Sequence, residues 1–425
     1  MTILRFVHAF ETGGGMERLI EDLDRRLLAR NAMTIIRVFI ASNPNPPAEE
    51  IENIGKGRLV RVPMPLPMGE TMASDQEDAG TNWKHLFRNL VLYNPVAAWL
   101  LTDRFIGLWK VPRRAGQIVG AGKKVQDLLT RHAVDLIMLH YMGGADTDEV
   151  VGVARQERVP FGVQNHYSND RFLHLSIRKH ALLADGVAGC NPIGVPSYLR
   201  GPFQNLWDGF DTEYFRKENA RGLEDAPGEP VILLPARIVR PKGQMDLIRA
   251  AAILRKRGVK FVVVLAGRVD SEAFLGELHR EIARHNLTDQ VRFAGLLSVR
   301  QLRDWYAASA VLAFPTFHHE GMPKIIIESG AMRLPVVAYR TGGTAAAVID
   351  GRTGYLVSTG NVADLADKLE RLLHSAELRA RMGEAGRRFV EGTFTLDAWA
   401  ARHEEFYAGM LRRNPGIKHP PGASG

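Results

Sequence analysis

Cysteine is nearly absent: the 425 residues hold a single thiol, Cys190. That excludes an internal disulfide framework and any metal cluster built on several cysteines. One lone thiol suits a reducing compartment, and the expected location is cytoplasmic. Long apolar runs are missing too. The longest, 91–101, is interrupted by Asn94 and Pro95 and is too short to span a bilayer. Met1-Thr2-Ile3-Leu4-Arg5 leads straight into a strand-like stretch, so no signal peptide is expected. Zinc-finger spacing, an RNP-like aromatic-basic strand and a G-x-x-x-x-G-K-[ST] loop are all absent. Nucleic acid is therefore not expected among the partners.

What is there is ordinary for a globular protein, with 45% hydrophobic and 24% charged residues. The length exceeds one comfortable core and implies two domains. A formal charge of +8 favours anionic partners, which include nucleotide phosphates and an acidic membrane face. Short β-branched runs alternate with longer helical patterns, the signature of parallel α/β architecture. Strands are predicted at 3–8, 34–41, 59–62, 136–140, 161–165 and 186–190. A second set follows at 231–236, 261–267, 291–294, 311–315 and 336–339. Periodic helices are predicted at 17–28, 245–257, 272–285 and 362–374. Between the two sets, 206–230 is poor in apolar residues and reads as an exposed linker, and the Pro/Gly-rich tail 414–425 reads as disordered.

The region 63–131 breaks this rhythm as an insertion without a strand. Trp83, Leu86, Phe87, Leu90 and Val91 share one helical face there. Such a face packs on a sheet or, with its neighbouring basic residues, meets an acceptor or a lipid headgroup layer. The expectation leaves room for a peripheral contact with an anionic membrane.

Open parallel sheets bind ligands at the carboxyl ends of their strands, and the informative residues cluster at such ends. After the first strand comes Glu11-Thr12-Gly13-Gly14-Gly15-Met16-Glu17-Arg18, where glycines let backbone amides approach a phosphate or sugar. It is no dinucleotide fingerprint, because the third glycine of G-x-G-x-x-G falls at Arg18. After the first strand of the second half come Arg237 and Lys242-Gly243. Two cations at a sheet mouth can neutralise a diphosphate without a metal. His319-Glu320-Gly321-Met322-Pro323-Lys324 follows another strand, with Pro323 suited to the first turn of a helix and Glu328 more than a turn inside it. Carboxylates beside an anion site make sense where the ligand also carries sugar hydroxyls, as a nucleotide sugar does. Asp146-Thr147-Asp148 has the D-x-D spacing of a divalent-metal site, but reads here as an exposed helix cap.

Glu320 to Glu328 resembles the E-x7-E motif of family-4 retaining glycosyltransferases. Arg237 with Lys242-Gly243 is similar to that family's R-x4-K-G pair. Gly13 to Arg18 resembles its N-terminal G-G-x-E-R loop, and Leu206 to Phe215 its N-G-V-D-T-x-x-F crossover. Two departures stand out: an extra glycine precedes Met16, and Asp208 occupies the asparagine position.

The resemblance implies an α/β GT-B fold, two doubly wound Rossmann-like domains facing each other across a cleft. Residues 1–208 would form an acceptor-binding domain, 209–395 a nucleotide-sugar-binding domain, and 396–413 a helix returning to the first. It implies that Arg237 and Lys242 grip the donor diphosphate, and that Glu320 holds hydroxyls of the donor sugar. Gly321, Met322 and Pro323 would line the donor site, and Glu328 would take the ribose hydroxyls. Gly14 and Gly15 would bring amides to the donor phosphates or the acceptor. His140 would reach the sugar from the other domain, with Asn165 and His166 facing the acceptor. The implied activity is retaining transfer of a sugar from a UDP- or GDP-sugar to a hydroxyl on a glycan, glycolipid or small molecule. No cofactor and no metal are expected. A sugar-nucleotide epimerase of the same fold and a non-catalytic nucleotide-sugar binder are the alternatives.

Overall fold

A computed structural model describes residues 1–10, 15–40, 49–64, 121–140, 145–166, 175–193, 195–196, 199, 203–224 and 226–414. The chain divides into two compact units. Unit 1 comprises Met1–Gly189, Val195–Asn205 and Arg402–Gly425; unit 2 comprises Cys190–Gly194 and Leu206–Ala401.

In unit 1 the chain runs β1 (Thr2–Phe10), α1 (Gly15–Arg30), β2 (Thr34–Ile40), β3 (Glu50–Ile54) and β4 (Gly57–Met64). It continues through α2 (Ala121–Arg131), β5 (Leu136–His140), α3 (Ala145–Gln156), β6 (Phe161–Asn165), α4 (Leu175–Leu183), β7 (Gly186–Gly189) and β8 (Phe203–Asn205). The sheet order among the described residues is β3-β4-β2-β1-β5-β6-β7-β8, parallel except for the β3/β4 hairpin. β5 and β6 are buried along their whole length, as strands covered on both faces must be. Gly162 of β6 and Gly186 of β7 have a packing reason. A β-carbon on either would lie within 3 Å of the Met410 sulfur, which the last helix of the chain sets against these strands.

Unit 2 carries β9 (Val231–Pro235), α5 (Gln244–Lys256), β10 (Val262–Ala266), α6 (Glu272–Arg284), β11 (Val291–Gly295) and α7 (Val299–Ala308). There follow β12 (Val311–Phe314), α8 (Lys324–Ala331), β13 (Val336–Tyr339), α9 (Thr344–Ala347), β14 (Gly354–Val357), α10 (Val362–His374) and α11 (Ala376–Thr393). The order is β11-β10-β9-β12-β13-β14, all parallel. Its core is a sheet of Val, Ile and Leu sandwiched by apolar helix faces such as Leu247, Ile248, Ala251 and Leu254 of α5. The last helix, α12 (Leu396–Arg413), begins in unit 2 and passes into unit 1 after Ala401.

Each unit builds outward from its first strand to one side and then returns to the other. The reversal falls between β1 and β5 in unit 1 and between β9 and β12 in unit 2. Flanking crossovers leave a crevice at the carboxyl ends of the strands where such a reversal occurs.

Two expectations change. Pro63 and Met64 complete β4, and 121–131 is helix α2, so both ends of the expected insertion belong to regular elements. The aromatic stripe from Trp83 to Val91 lies outside the described residues, as do Gly14 and 415–425. The stretch 206–230 is not a uniformly exposed linker. Leu206, Asp208, Thr212 and Phe215 are buried, Phe215 against Phe210 and Tyr306. Arg387 anchors the segment by donating to the carbonyls of Thr212 and Phe215. Low average hydrophobicity hid four inward-facing positions, because an irregular segment has no period to reveal them.

Candidate functional site

The site in unit 2 is assembled at the carboxyl ends of β9, β12 and β13. After β9 the chain makes a single 3-10 turn, Arg240–Lys242, which Gly243 ends in the left-handed conformation at φ 79°. No other residue fits there, since a β-carbon on Gly243 would sit 1.9 Å from the carbonyl oxygen of Pro315. That close approach welds the β9 turn to the β12 turn. The Phe317 amide and the Thr316 hydroxyl both donate to the Pro241 carbonyl, at 2.9 and 3.1 Å.

Across this weld Lys242 Nζ donates to Glu320 Oε1, both side chains being largely but not wholly covered. Arg237 remains more exposed and pairs with Asp270, which Arg268 also contacts at 2.8 Å. The pairing follows from backbone bonds linking Ile238 to Arg268 and Asp270, which hold the β9 and β10 exits side by side. Partial desolvation of the Asp270 carboxyl is outweighed by Arg268 and Arg237, which lower its pKa.

Glu320-Gly321 is pinned from two places, the turn after β13 and the Cys190–Gly194 segment. Gly343 N donates to the Glu320 carbonyl at 2.9 Å, and Asn191 Nδ2 to that of Gly321 at 2.5 Å. Met322 is buried, and Pro323 caps α8 one residue before its first turn rather than inside it. Glu328 lies in the second turn of α8. Part of its surface is accessible, yet enough protein surrounds it that desolvation raises its carboxyl above the usual range. The hydroxyl of buried Tyr306 donates to Glu328 Oε2 at 2.7 Å and fixes its direction.

In unit 1, Gly15 opens α1 behind β1. His140 ends β5, is wholly buried and has both ring nitrogens engaged: Nε2 with Arg5 at 3.2 Å and Nδ1 with His166 at 3.0 Å. Burial and the adjacent Arg5 cation drive the His140 pKa well below its ordinary value. Asn165 ends β6 and His166 follows it, both buried. Asp148 is no exposed cap. It pairs with Lys179 at 3.1 Å and His180 at 2.5 Å, while Thr147 is buried. Among the described residues no group of three His, Cys, Asp or Glu is placed to hold a metal ion. No described helix is long and apolar enough to cross a membrane.

The structure thus brings Arg237, Lys242, Glu320, Gly321, Met322, Pro323 and Glu328 to one end of one sheet, and His140, Asn165 and His166 to one end of the other. Four participants escaped sequence reading: Asp270, Tyr306, Asn191 and Gly343. The Gly342-Gly343 pair at a strand end was a readable signal. Tyr306 and Glu328, 22 residues apart, offered none.

The sequence model of the family described as glycosyl transferases group 1 matches residues 215–389. The capsular polysaccharide biosynthesis glycosyltransferase CapM of Staphylococcus aureus is 28% identical over 243 residues, 56% of this chain and 61% of that protein. D-inositol 3-phosphate glycosyltransferase 2 of Catenulispora acidiphila is 36% identical over 187 residues, 41% of this chain and 43% of that protein. The chain spans about half the length of the curated relatives it matches. Among solved structures, a glycosyltransferase from Rickettsia africae superposes with TM-score 0.66 at 17% identity, covering 97% of this chain and 98% of the other. Sucrose-phosphate synthase from Thermosynechococcus elongatus gives 0.63 at 20%, covering 97% and 99%. Anabaena HepE, solved with UDP, gives 0.64 at 17%, covering 96% and 100%. At such identities the likeness establishes the fold, which is GT-B.

Proposed function

Residues 215–389 match the family model of the glycosyl transferases group 1, and on that premise we propose that the chain is a retaining glycosyltransferase. It moves a sugar from a UDP- or GDP-sugar to a hydroxyl acceptor, without a divalent metal. The observation that carries this reading is the Lys242–Glu320 pair at the β9/β12 reversal. A cation and a carboxylate neutralise each other there until a ligand bearing both phosphate and hydroxyls separates them.

Leaving-group departure puts negative charge on the phosphate and positive charge on the anomeric carbon, and a preorganised site stabilises both. Arg237, Lys242 and the amino end of α8 receive the phosphate charge. Glu320, released by Lys242, accepts from the sugar hydroxyls, and Glu328 accepts from the ribose. The bond from the anomeric carbon to the phosphate oxygen breaks. The acceptor oxygen bonds to the same face, and its proton passes to the departing phosphate. Asn165 and His166 are assigned to the acceptor. Because HepE structures hold UDP and UDP-glucose, UDP-glucose is the first donor to test.

The test is nucleotide release from a panel of UDP- and GDP-sugars in EDTA, for wild type, Glu320→Gln and Lys242→Ala. Release from one donor, lost in both variants, supports the reading. Release that requires added metal removes the metal-independent mechanism. Conversion of the donor to its epimer without nucleotide release replaces transfer with epimerisation.

A further inference from the structure

Arg237, at the exit of β9, is held at both ends. Its carbonyl accepts from Gln244 Nε2 at 2.8 Å, and Gln244 is wholly buried as the first residue of α5. Its guanidinium donates through Nη1 to Asp270 Oδ2, and the other oxygen of that carboxylate takes Arg268 Nε at 2.8 Å. The backbone alone puts Asp270 there. Ile238 N donates to the Arg268 carbonyl at 2.8 Å, and Asp270 N to that of Ile238 at 3.2 Å. Gly267 permits the approach, since a β-carbon on it would lie 2.2 Å from the Ala236 carbonyl oxygen.

The corner of the guanidinium that Asp270 takes decides what it can do. Nη1 is the corner on the side of Cδ. The opposite edge, Nε–H with Nη2–H, is one that makes two parallel hydrogen bonds to a phosphate. Among the described residues that edge meets no protein acceptor, and the Arg237 side chain is 58% exposed. A phosphate can therefore take the two-donor edge while Asp270 keeps Nη1. Arg268 sets the sign of the cluster. Arg237 and Asp270 alone would be a neutral pair, whereas two guanidinia around one carboxylate keep a net positive charge for an anion.

We propose that Asp270 is a positioning residue: it holds Nη1 of Arg237 so that the Nε–Nη2 edge meets the donor diphosphate, and it stays bonded when the ligand arrives. The diphosphate rests on the transferase reading; the direction imposed on Arg237 does not. Asp270 thus differs from Glu320, whose ion pair with Lys242 opens for the ligand.

The test follows the Arg237 Nε–H signal by proton–nitrogen correlation in the full chain labelled with 15N-arginine, assigned with Arg237→Lys and titrated with UDP and GDP. That signal should shift as the nucleotide binds. Asp270→Ala should lower kcat for nucleotide release by about tenfold or more. Donor KM should change little, because the added positive charge offsets the lost orientation in ground-state binding. Asp270→Asn, which keeps an oxygen facing Nη1, should lose less. In an Arg237→Ala background, Asp270→Ala should lower turnover no further. An unshifted Nε–H in nucleotide-bound wild type overturns the proposal. So does wild-type kcat in Asp270→Ala, or a loss that persists without Arg237. Should Asp270→Ala not fold, the wild-type titration decides alone. Nucleotide binding with the shifted signal, but no release from any donor, would sink the transferase reading and leave the positioning of Arg237 standing. Failure to bind either nucleotide overturns both.

Discussion

The Tyr306 hydroxyl, at the end of α7, donates to Glu328 Oε2 at 2.7 Å in the second turn of α8. It gives a carboxylate in poorly hydrated surroundings one defined direction. Tyr306→Phe leaves that oxygen without its donor. The expected loss is about 1–3 kcal/mol of stability, measured by urea unfolding, with a higher donor KM and a nearly unchanged kcat. A lower kcat at constant KM would show that Glu328 acts on the reacting centre and not on the ribose.

The same carboxyl makes a pH prediction. Burial raises the Glu328 pKa above its ordinary 4.5, so the fold favours the neutral form. The stabilisation is fully present below 4.5 and is lost as pH rises through the folded value. Glu328→Gln, neutral at every pH, should therefore be more stable than wild type at pH 7, the difference closing in acid. Denaturation midpoints at several pH values test this, and a gap that widens in acid would contradict it.

Glu21 has the opposite sign. It is desolvated, but Arg37, Arg61 and Arg25 bring its pKa down to about 2. The stability it contributes is present above 4.5 and lost as pH falls through about 2. After discounting for its partial exposure, Glu21→Gln should cost about 1–2 kcal/mol at pH 7. Acid titration of both proteins should show the curves converging near pH 2.

Lys242 and Glu320 form an ion pair and neutralise each other. Glu320→Gln frees the cation, so a nucleoside diphosphate should bind several-fold more tightly while turnover falls by about a hundredfold. Calorimetric titration with UDP and GDP measures the first effect. Weaker diphosphate binding in this variant would mean that Lys242 does not meet the phosphate.

Gly243→Ala forces a side chain into a left-handed backbone and onto the Pro315 carbonyl. The expected loss is about 3 kcal/mol or more, together with donor binding, because the β9 and β12 turns can no longer touch. Thermal unfolding and UDP titration check both parts.

Much of the scaffold was legible. Every strand predicted from a β-branched run overlaps an observed strand, from β1 to β13, because parallel strands buried on both faces must be continuously apolar. The strands missed are β3, β8 and β14. Glu-Ile-Glu-Asn-Ile in β3 is a charged, exposed edge; β8 has only three residues; Gly-Tyr-Leu-Val in β14 is short and opens on a glycine. None carries enough apolar periodicity to stand out.

The residues of the candidate site could also be picked out in the sequence as cations, glycines and carboxylates at strand ends, and the structure gathers those of unit 2 at one end of its sheet. Sequence alone determined the alternation of strands and helices, the positions of Arg237, Lys242, Glu320 and Glu328, and the glycines their turns need. Tertiary structure decided who meets whom. Lys242 finds Glu320 only because β12 returns beside β9, Tyr306 finds Glu328 only because α7 packs beside α8, and Arg5 meets Asp24, His140 and Tyr407 only once β1, α1, β5 and α12 enclose it. Periodicity reports which face of an element is buried. Pairing across strand order depends on the whole sheet closing, which no local window of sequence contains.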